Sequence, residues 1–420
     1  MHLETLSRSG REMRRKQDAW FVQKDPLIFW LSIAATLVGL FAVLDATTST
    51  SLASGGSWIS SEFKRQLAWV FVCAVAYIWI STKDVKFVRR WSIPFFYVLL
   101  VACILVLIPG IGITRNGASR WLGYGSLQFQ PAELMKIALV GFVAVALTSK
   151  HMQKSGRIRD WIDFAEMRLI PAMKRWGPVV AVLFLLLLVE LEPDLGTAFI
   201  LAAIAFGALT LARVPFRGLI AILLVCAALG VLFTMSREYR VERFAKHADR
   251  WEQGTVDGTS FQSAQAELAM AYGGSTGVGI AQGRAKHVLP EAHTDFVFVT
   301  IAEEFGLLGS LLVVLLLGGL SLRLLSNAMA TNDDFVRIVL GSVGWWIGVQ
   351  TVLNLLMAGG ALPAIGIPLP FMSYGGTSLL TLAIAIGACQ AVMRGSRVRE
   401  DAHEAHRDRR RHGRARLSRA

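Results

Sequence analysis

Charge is scarce in this 420-residue chain. Asp, Glu, Lys and Arg make up 17% of it, against about 25% in ordinary soluble domains. The deficit is uneven, because long apolar runs alternate with short charged segments, and that excludes an ordinary soluble globule. Cysteine is scarcer still. Cys73, Cys103, Cys226 and Cys389 all fall inside apolar runs, with no CxxC spacing. This excludes a disulfide framework or a cysteine metal site, and the four read as small buried apolar residues. No soluble stretch is long enough for a separate basic binding domain. The net charge of +13 therefore does not point to nucleic acid. The N-terminus does not read as a good cleaved signal peptide. Some two dozen polar residues precede the first apolar run, longer than a usual n-region. An uncleaved first helix is expected, although the small residues after Ala46 resemble a cleavage site.

What is present is apolar length. Hydrophobic residues make up 54% of the chain, and the mean hydropathy is +0.50. A membrane span needs about 20 mostly apolar residues. Spans are expected near 26–46, 66–82, 91–109, 131–148, 178–192, 195–213, 217–235, 296–322, 336–358 and 373–393. The predicted fold is an all-α integral membrane protein with about ten transmembrane helices and one large outer loop, 236–295. Basic tails at 1–25 and 394–420 flank the membrane domain, 26–393. Glu192-Pro193-Asp194 reads as a tight turn between the fifth and sixth spans.

The loops set the orientation. Arg8, Arg11, Arg14, Arg15, Lys16 and Lys24 precede the first span. Lys83, Lys86, Arg89 and Arg90 follow the second, and Lys150, Lys154, Arg157, Arg159, Lys174 and Arg175 the fourth. Arg213, Arg217, Arg323, Arg337 and the arginine-rich C-terminal tail continue the pattern. With ten spans all of these fall on one side, which the positive-inside rule makes the cytoplasm. Both termini are then cytoplasmic. The opposite face receives the loop around 110–130, the Glu192 turn, the loop 236–295 and the loop around 359–372.

The long outer loop has a charged stretch from Arg237 to Glu252, an expected amphipathic helix over 261–271, and Gly273, Gly274, Gly277, Gly279 and Gly283. A dinucleotide fingerprint needs GxGxxG between a strand and a helix. Here Gly283 comes one residue too late and no strand precedes it, so the run reads as flexible or close-packed backbone.

Ionisable residues at the outer ends of the spans are costly, roughly 2.5–3.5 kcal/mol each at a helix centre, and so are the candidate functional groups. Pro131 opens the fourth span in a favourable position. Glu133 and Lys136 are three residues apart and share a face. They are read either as a mutual ion pair that packs the helix or as a cation held for an anionic substrate group. Asp295 stands at the mouth of the eighth span, either as chemistry or as a helix N-terminal charge. Glu303 and Glu304 lie about 12 Å deeper and need partners, for which Lys136 and Arg120 are candidates. Asp194 reads as an N-cap or a polar contact. Arg115 and Arg120 carry positive charge on the outer side, an exception that points to an anionic partner. Gln265, on the expected amphipathic helix, and Ser373, in the Pro363–Ser378 segment, complete the substrate-binding candidates. Ser373 lacks a G-x-S-x-G elbow and a nearby His, which excludes a serine hydrolase. His293 reads as a loop side chain. Together these residues describe an outward-facing polar cavity suited to an amphiphilic anion, without deciding between moving it and reacting it.

The segments Asn116–Leu122, Phe129–Lys136, Glu192–Thr197, Leu289–Phe296 and Pro368–Gly376 resemble, in order, those of the SEDS family (shape, elongation, division and sporulation; the FtsW, RodA and SpoVE proteins). The likeness spans nearly all of 25–393. Val106–Gly112 and Leu289–Asp295 are more similar to FtsW than to RodA. Ala132, Glu192 and Thr377 depart from the usual serine, glutamine and serine of that family.

The resemblance implies a peptidoglycan glycosyltransferase that polymerises lipid II at the outer face of the bacterial cytoplasmic membrane. An acceptor 4-hydroxyl would attack the donor's anomeric carbon and undecaprenyl pyrophosphate would leave. It implies Asp295 as base, Arg120 and Lys136 at the diphosphate, Glu133 orienting Lys136, and Asp194 as a further contact. No ligand cluster demands a metal, but a divalent cation (Mg or Mn) at the diphosphate fits the chemistry. The implied partners are a class B penicillin-binding protein transpeptidase and the other division proteins. The basic tails suit anionic membrane lipids, at about 1 kcal/mol per residue, or cytoplasmic division proteins. Two other functions use the same cavity. One is a flippase for a lipid-linked precursor, which would place its polar groups at the midplane. The other is a non-catalytic division scaffold, which would keep Lys136, Glu303 and Glu304 in the membrane without chemistry.

Overall fold

A computed structural model of the chain describes residues 25–53, 57–115, 117–125, 127–149, 170–235, 238–248, 250–251 and 261–395. The tail residues before 25 and after 395, and Lys150, Lys154, Arg157 and Arg159, lie outside these. Each expected span is a helix. They are α1 (Pro26–Ala53), α2 (Ser61–Ser81), α3 (Val85–Val106), α4 (Pro131–Thr148), α5 (Ile170–Leu191), α6 (Leu195–Leu211), α7 (Phe216–Met235), α11 (Val297–Ala330), α12 (Asp334–Ala358) and α13 (Gly376–Gly395). Seven are long and apolar enough to cross a membrane, and α5, α6 and α7 carry shorter apolar stretches. The long segment 236–295 contributes α8 (Glu238–Ala248), α9 (Phe261–Gly273) and α10 (Ala285–Val288).

Several helices outrun their apolar stretch, because backbone hydrogen bonding continues into polar residues where an N-cap or a neighbour supports the turn. Ser60 caps α2 through Phe63 N at 3.0 Å, so that helix starts at Ser61, before its apolar run. Asp333 caps α12 through Phe335 N at 2.9 Å and Val336 N at 3.3 Å. Such caps contribute about 1 kcal/mol each.

The segment read from sequence as the loop around 110–130 carries strands. Residues 113–129 form a small antiparallel sheet, β1 (Ile113–Arg115), β2 (Ala118–Tyr124) and β3 (Leu127–Phe129), in the order β1-β2-β3. Arg115 pairs with Ala118 and Tyr124 with Leu127. Both connections are two residues long, and Gly117 (φ +77°) and Gly125 (φ +60°) supply the left-handed backbone that such hairpins need. Strands this short carry too little periodicity to be read from sequence.

The core lies where α12 packs against α11, α6 and α4, and where α1 packs on α11 and α3 on α4. In contrast to the largely buried α4, α2 exposes Leu67, Phe71, Val75, Ile78 and Trp79, an apolar face suited to lipid. At one end of the bundle Asp25, before α1, exchanges main-chain hydrogen bonds with the Gln390 side chain of α13 at 3.0 and 2.8 Å. Its carboxylate takes Arg323 at 2.8 Å and Asn327 at 2.7 Å from α11. The start of the first apolar helix and the end of the last thus lie on the same face of the bundle.

Candidate active site

At the opposite end, the segments picked out in the sequence converge. Arg120 extends from β2 to the turn between α5 and α6. Its Nε donates to the Glu192 carbonyl at 3.0 Å and its Nη2 to the Pro193 carbonyl. The guanidinium is held by neutral oxygens and, among the described residues, makes no ion pair. Pro193 and the acids beside it do form the expected tight turn. Asp194 then caps α6, accepting from Thr197 N at 3.1 Å and Thr197 Oγ1 at 3.0 Å. It also accepts from Gln130 Nε2 at 2.9 Å, which ties the start of α4 to the start of α6. Gln130 N reaches Thr377 Oγ1 of α13 at 3.4 Å.

Glu133 and Lys136 form an ion pair, one of the two readings of their spacing, 2.5 Å apart. Lys136 is only 1% exposed, so it is tied to Glu133 beneath the surface, while Arg120 is the half-buried cation.

Asp295 precedes α11. The N-cap of that helix is Phe296 and no side chain caps it, so Asp295 is not an N-terminal cap. Its carboxyl is half-buried, and a Cβ on Gly366 would stand 3.6 Å from Oδ2. Burial, then the nearby charges of Glu291 and Asp194, push its pKa up to about 7; Arg120 pulls it down and Glu133 raises it. Asp295 therefore shares one electrostatic neighbourhood with Asp194, Arg120 and Glu133. The loop is fixed from below by Asn354 of α12, which donates to the Asp295 carbonyl at 2.9 Å and the Ile367 carbonyl at 2.7 Å. Beside it, a cavity of about 540 Å³ is lined by Thr47, Glu62, Lys286, Glu291 and His293 among others.

Glu303 and Glu304 are not partnered by Lys136 or Arg120, a correction to the expectation from sequence. Both cations are engaged elsewhere, and the loop before α11 folds back onto the two acids. Glu303 accepts from Arg284 N at 2.9 Å and Ala285 N at 2.8 Å. Glu304 accepts from Ala281 N at 3.1 Å, Gly283 N at 3.2 Å and Lys286 Nζ at 2.6 Å. Lys286 also pairs with Asp45 of α1 at 2.8 Å. The two acids receive a loop rather than open onto a cavity.

The glycine run is close-packed at Gly273, Gly277 and Gly283, whereas Gly274 faces open space. A Cβ on Gly277 (φ +83°) would lie 2.0 Å from the Glu304 carbonyl oxygen, and Gly306 (φ +60°) breaks α11 where that loop crosses it. Ser373 is likewise occupied, donating to the Thr294 carbonyl at 2.6 Å and accepting from Leu369 N at 2.7 Å. Gln265 is half-buried on α9, and among the described residues no hydrogen bond joins it to the Asp295 group. Sequence reading passed over Asn354, Gln130, Asp45 and Lys286. A lone acid such as Asp45 near the end of an apolar run was the one available signal of a buried cation.

Bundle and site define an integral membrane protein with a group of polar and charged side chains, Asp295 and Arg120 among them, gathered at one end of the bundle. Comparison with known proteins places it further. The profile of the FtsW/RodA/SpoVE family, described as cell cycle proteins, matches residues 25–398, and the chain belongs to that family. It is 33% identical over 372 residues to a probable peptidoglycan glycosyltransferase FtsW of Pasteurella multocida, covering 86% of this chain and 88% of that protein. It is 29% identical to stage V sporulation protein E of Bacillus subtilis, covering 89% and 98%. Among solved structures, it resembles a chain from work on polymerization and crosslinking by a peptidoglycan synthase complex, with a TM-score of 0.70, 26% identity and coverage of 88% and 98%. It shares the fold of Thermus thermophilus RodA at a TM-score of 0.63, 24% identity and coverage of 89% and 97%.

Proposed function

We infer that the chain is a peptidoglycan glycosyltransferase of the division type that polymerises lipid II on the outer face of the bacterial cytoplasmic membrane. Family membership and the FtsW relatives support the activity. The observation that carries the mechanism is Asp295, a half-buried carboxyl that caps nothing and has a pKa of about 7 beside Arg120. A general base works best with a proton affinity near the working pH. In this reading Asp295 takes the proton of the acceptor's 4-hydroxyl as its oxygen bonds to the donor's anomeric carbon. The bond from that carbon to the diphosphate breaks, and undecaprenyl pyrophosphate leaves. Arg120 stabilises the charge that develops on the leaving diphosphate. Glu133 and Lys136 support the start of α4, which carries Gln130 to Asp194.

A magnesium or manganese ion belongs to the proposal only as a companion of the substrate. Among the described residues no three His, Cys, Asp or Glu side chains come together as a metal set, so the diphosphate's own oxygens would hold it. No step above passes through it. In this reading the Asp25–Gln390 end of the bundle and both termini face the cytoplasm, which the basic loops support. A class B penicillin-binding protein transpeptidase is the proposed partner, within the division machinery, and anionic lipids the proposed contact of the tails.

The test is fluorescent lipid II in proteoliposomes containing the chain and its transpeptidase partner. Polymer formed without movement of lipid II between leaflets supports the reading. Movement between leaflets without polymer would replace it with a flippase, and neither product would leave a scaffold.

A further inference from the structure

Glu192 is a buried acid that the proposed chemistry leaves unused. It sits in the turn between α5 and α6 with 0% of its surface exposed. Among the described residues, neither of its carboxyl oxygens has a hydrogen-bond partner. The titratable and charged groups that face it are Asp194 across the turn, Arg120 from β2 and Cys103 from α3. An ionised carboxyl without donors, away from water and beside another acid, is disfavoured against the neutral form. Burial and then Asp194 push its pKa up to about 8, so at neutral pH it holds its proton.

The consequence falls on Arg120. That guanidinium is docked on the main-chain oxygens of Glu192 and Pro193, groups that orient it without cancelling its charge. An ionised Glu192 would put a negative charge in the same turn and compensate it.

We propose that Glu192 is a positioning residue, kept uncharged so that Arg120 presents its full positive charge to the diphosphate of the substrate. This rests on the reading of Arg120 as a diphosphate contact. No proton leaves Glu192 during the reaction. Its role is electrostatic and is lost when alkali removes its proton.

The test is binding of undecaprenyl pyrophosphate to the purified chain in nanodiscs at pH 7 and pH 9. Glu192→Gln and Glu192→Met are compared with the parent, with thermal melts at pH 7 to establish folding. At pH 9, one unit above its pKa, Glu192 is about nine-tenths ionised, so the parent should bind about tenfold more weakly than at pH 7. Either variant should keep the two affinities within about twofold. Equal pH ratios in all three chains would overturn the proposal, as would a parent that loses nothing at pH 9. The two readings fail separately. The expected ratios without lipid II polymerisation would overturn the activity alone, whereas no binding at either pH would overturn both.

Discussion

Asn354 Nδ2 lies 2.9 Å from the main-chain oxygen of Asp295, and the same nitrogen bonds the Ile367 carbonyl at 2.7 Å. One buried amide on α12 therefore sets the distance between the loop that carries Asp295 and the loop that carries Gly366. Replacing it leaves two carbonyls without their donor. Asn354→Ala is expected to cost about 2–3 kcal/mol of stability and to lower kcat more than it raises KM. Denaturation in detergent and steady-state polymerisation check the two parts. A variant with normal kcat would show that the loop holds its place without Asn354.

Lys286 is the buried tie between α1 and α11, pairing with Asp45 at 2.8 Å and Glu304 at 2.6 Å. Removing one member of such a set leaves charge uncompensated, at about 3–5 kcal/mol. Lys286→Met should therefore unfold at a markedly lower temperature than the parent. Adding Asp45→Asn should recover part of the loss, because it neutralises the acid that Lys286→Met leaves without its cation. Strict additivity in a double-mutant cycle would show that the pair is not coupled.

The pKa of Asp295 sets an acid limb. Protonation removes the base, so kcat/KM should fall as pH drops through about 7 and fall again as Glu192 ionises above about 8. The expected profile is bell-shaped and narrow. Initial rates between pH 5.5 and 9.5 would reveal it, and Glu192→Gln should widen the alkaline side alone.

Glu192 also links pH to stability. Its folded pKa, about 8, lies above the ordinary glutamate value of 4.5. The folded state therefore binds more protons between those values, and stability falls as pH rises through that window. Glu192→Gln removes the penalty. Its melting temperature should exceed the parent's by more at pH 8 than at pH 5, a difference worth up to about 4 kcal/mol. Equal melting curves at both pH values would refute the buried neutral acid.

Much of this was legible from sequence because the signals were local. The apolar runs named the spans, the three-residue spacing of Glu133 and Lys136 named their ion pair, and Glu192-Pro193-Asp194 named its turn. What stayed hidden depended on distant residues meeting. Glu303 and Glu304 needed Lys286, Asp45 and the backbone of residues 281–285, and nothing in a linear reading brings those together. Arg120 was picked out for its charge on the outer side, but its docking on two carbonyls of another turn is a tertiary fact. Ser373 was picked out as a substrate-binding candidate, and its hydroxyl joins the Thr294 carbonyl to Leu369 N instead.

The most direct test of the central claim compares Asp295→Asn with the parent in lipid II polymerisation, with the transpeptidase partner present and both chains shown to be folded. The substitution keeps the shape of the side chain and removes its ability to take a proton. The account predicts a loss of at least about 100-fold in kcat with binding of undecaprenyl pyrophosphate retained. Polymerisation within a few-fold of the parent would contradict it and show that the base is another residue.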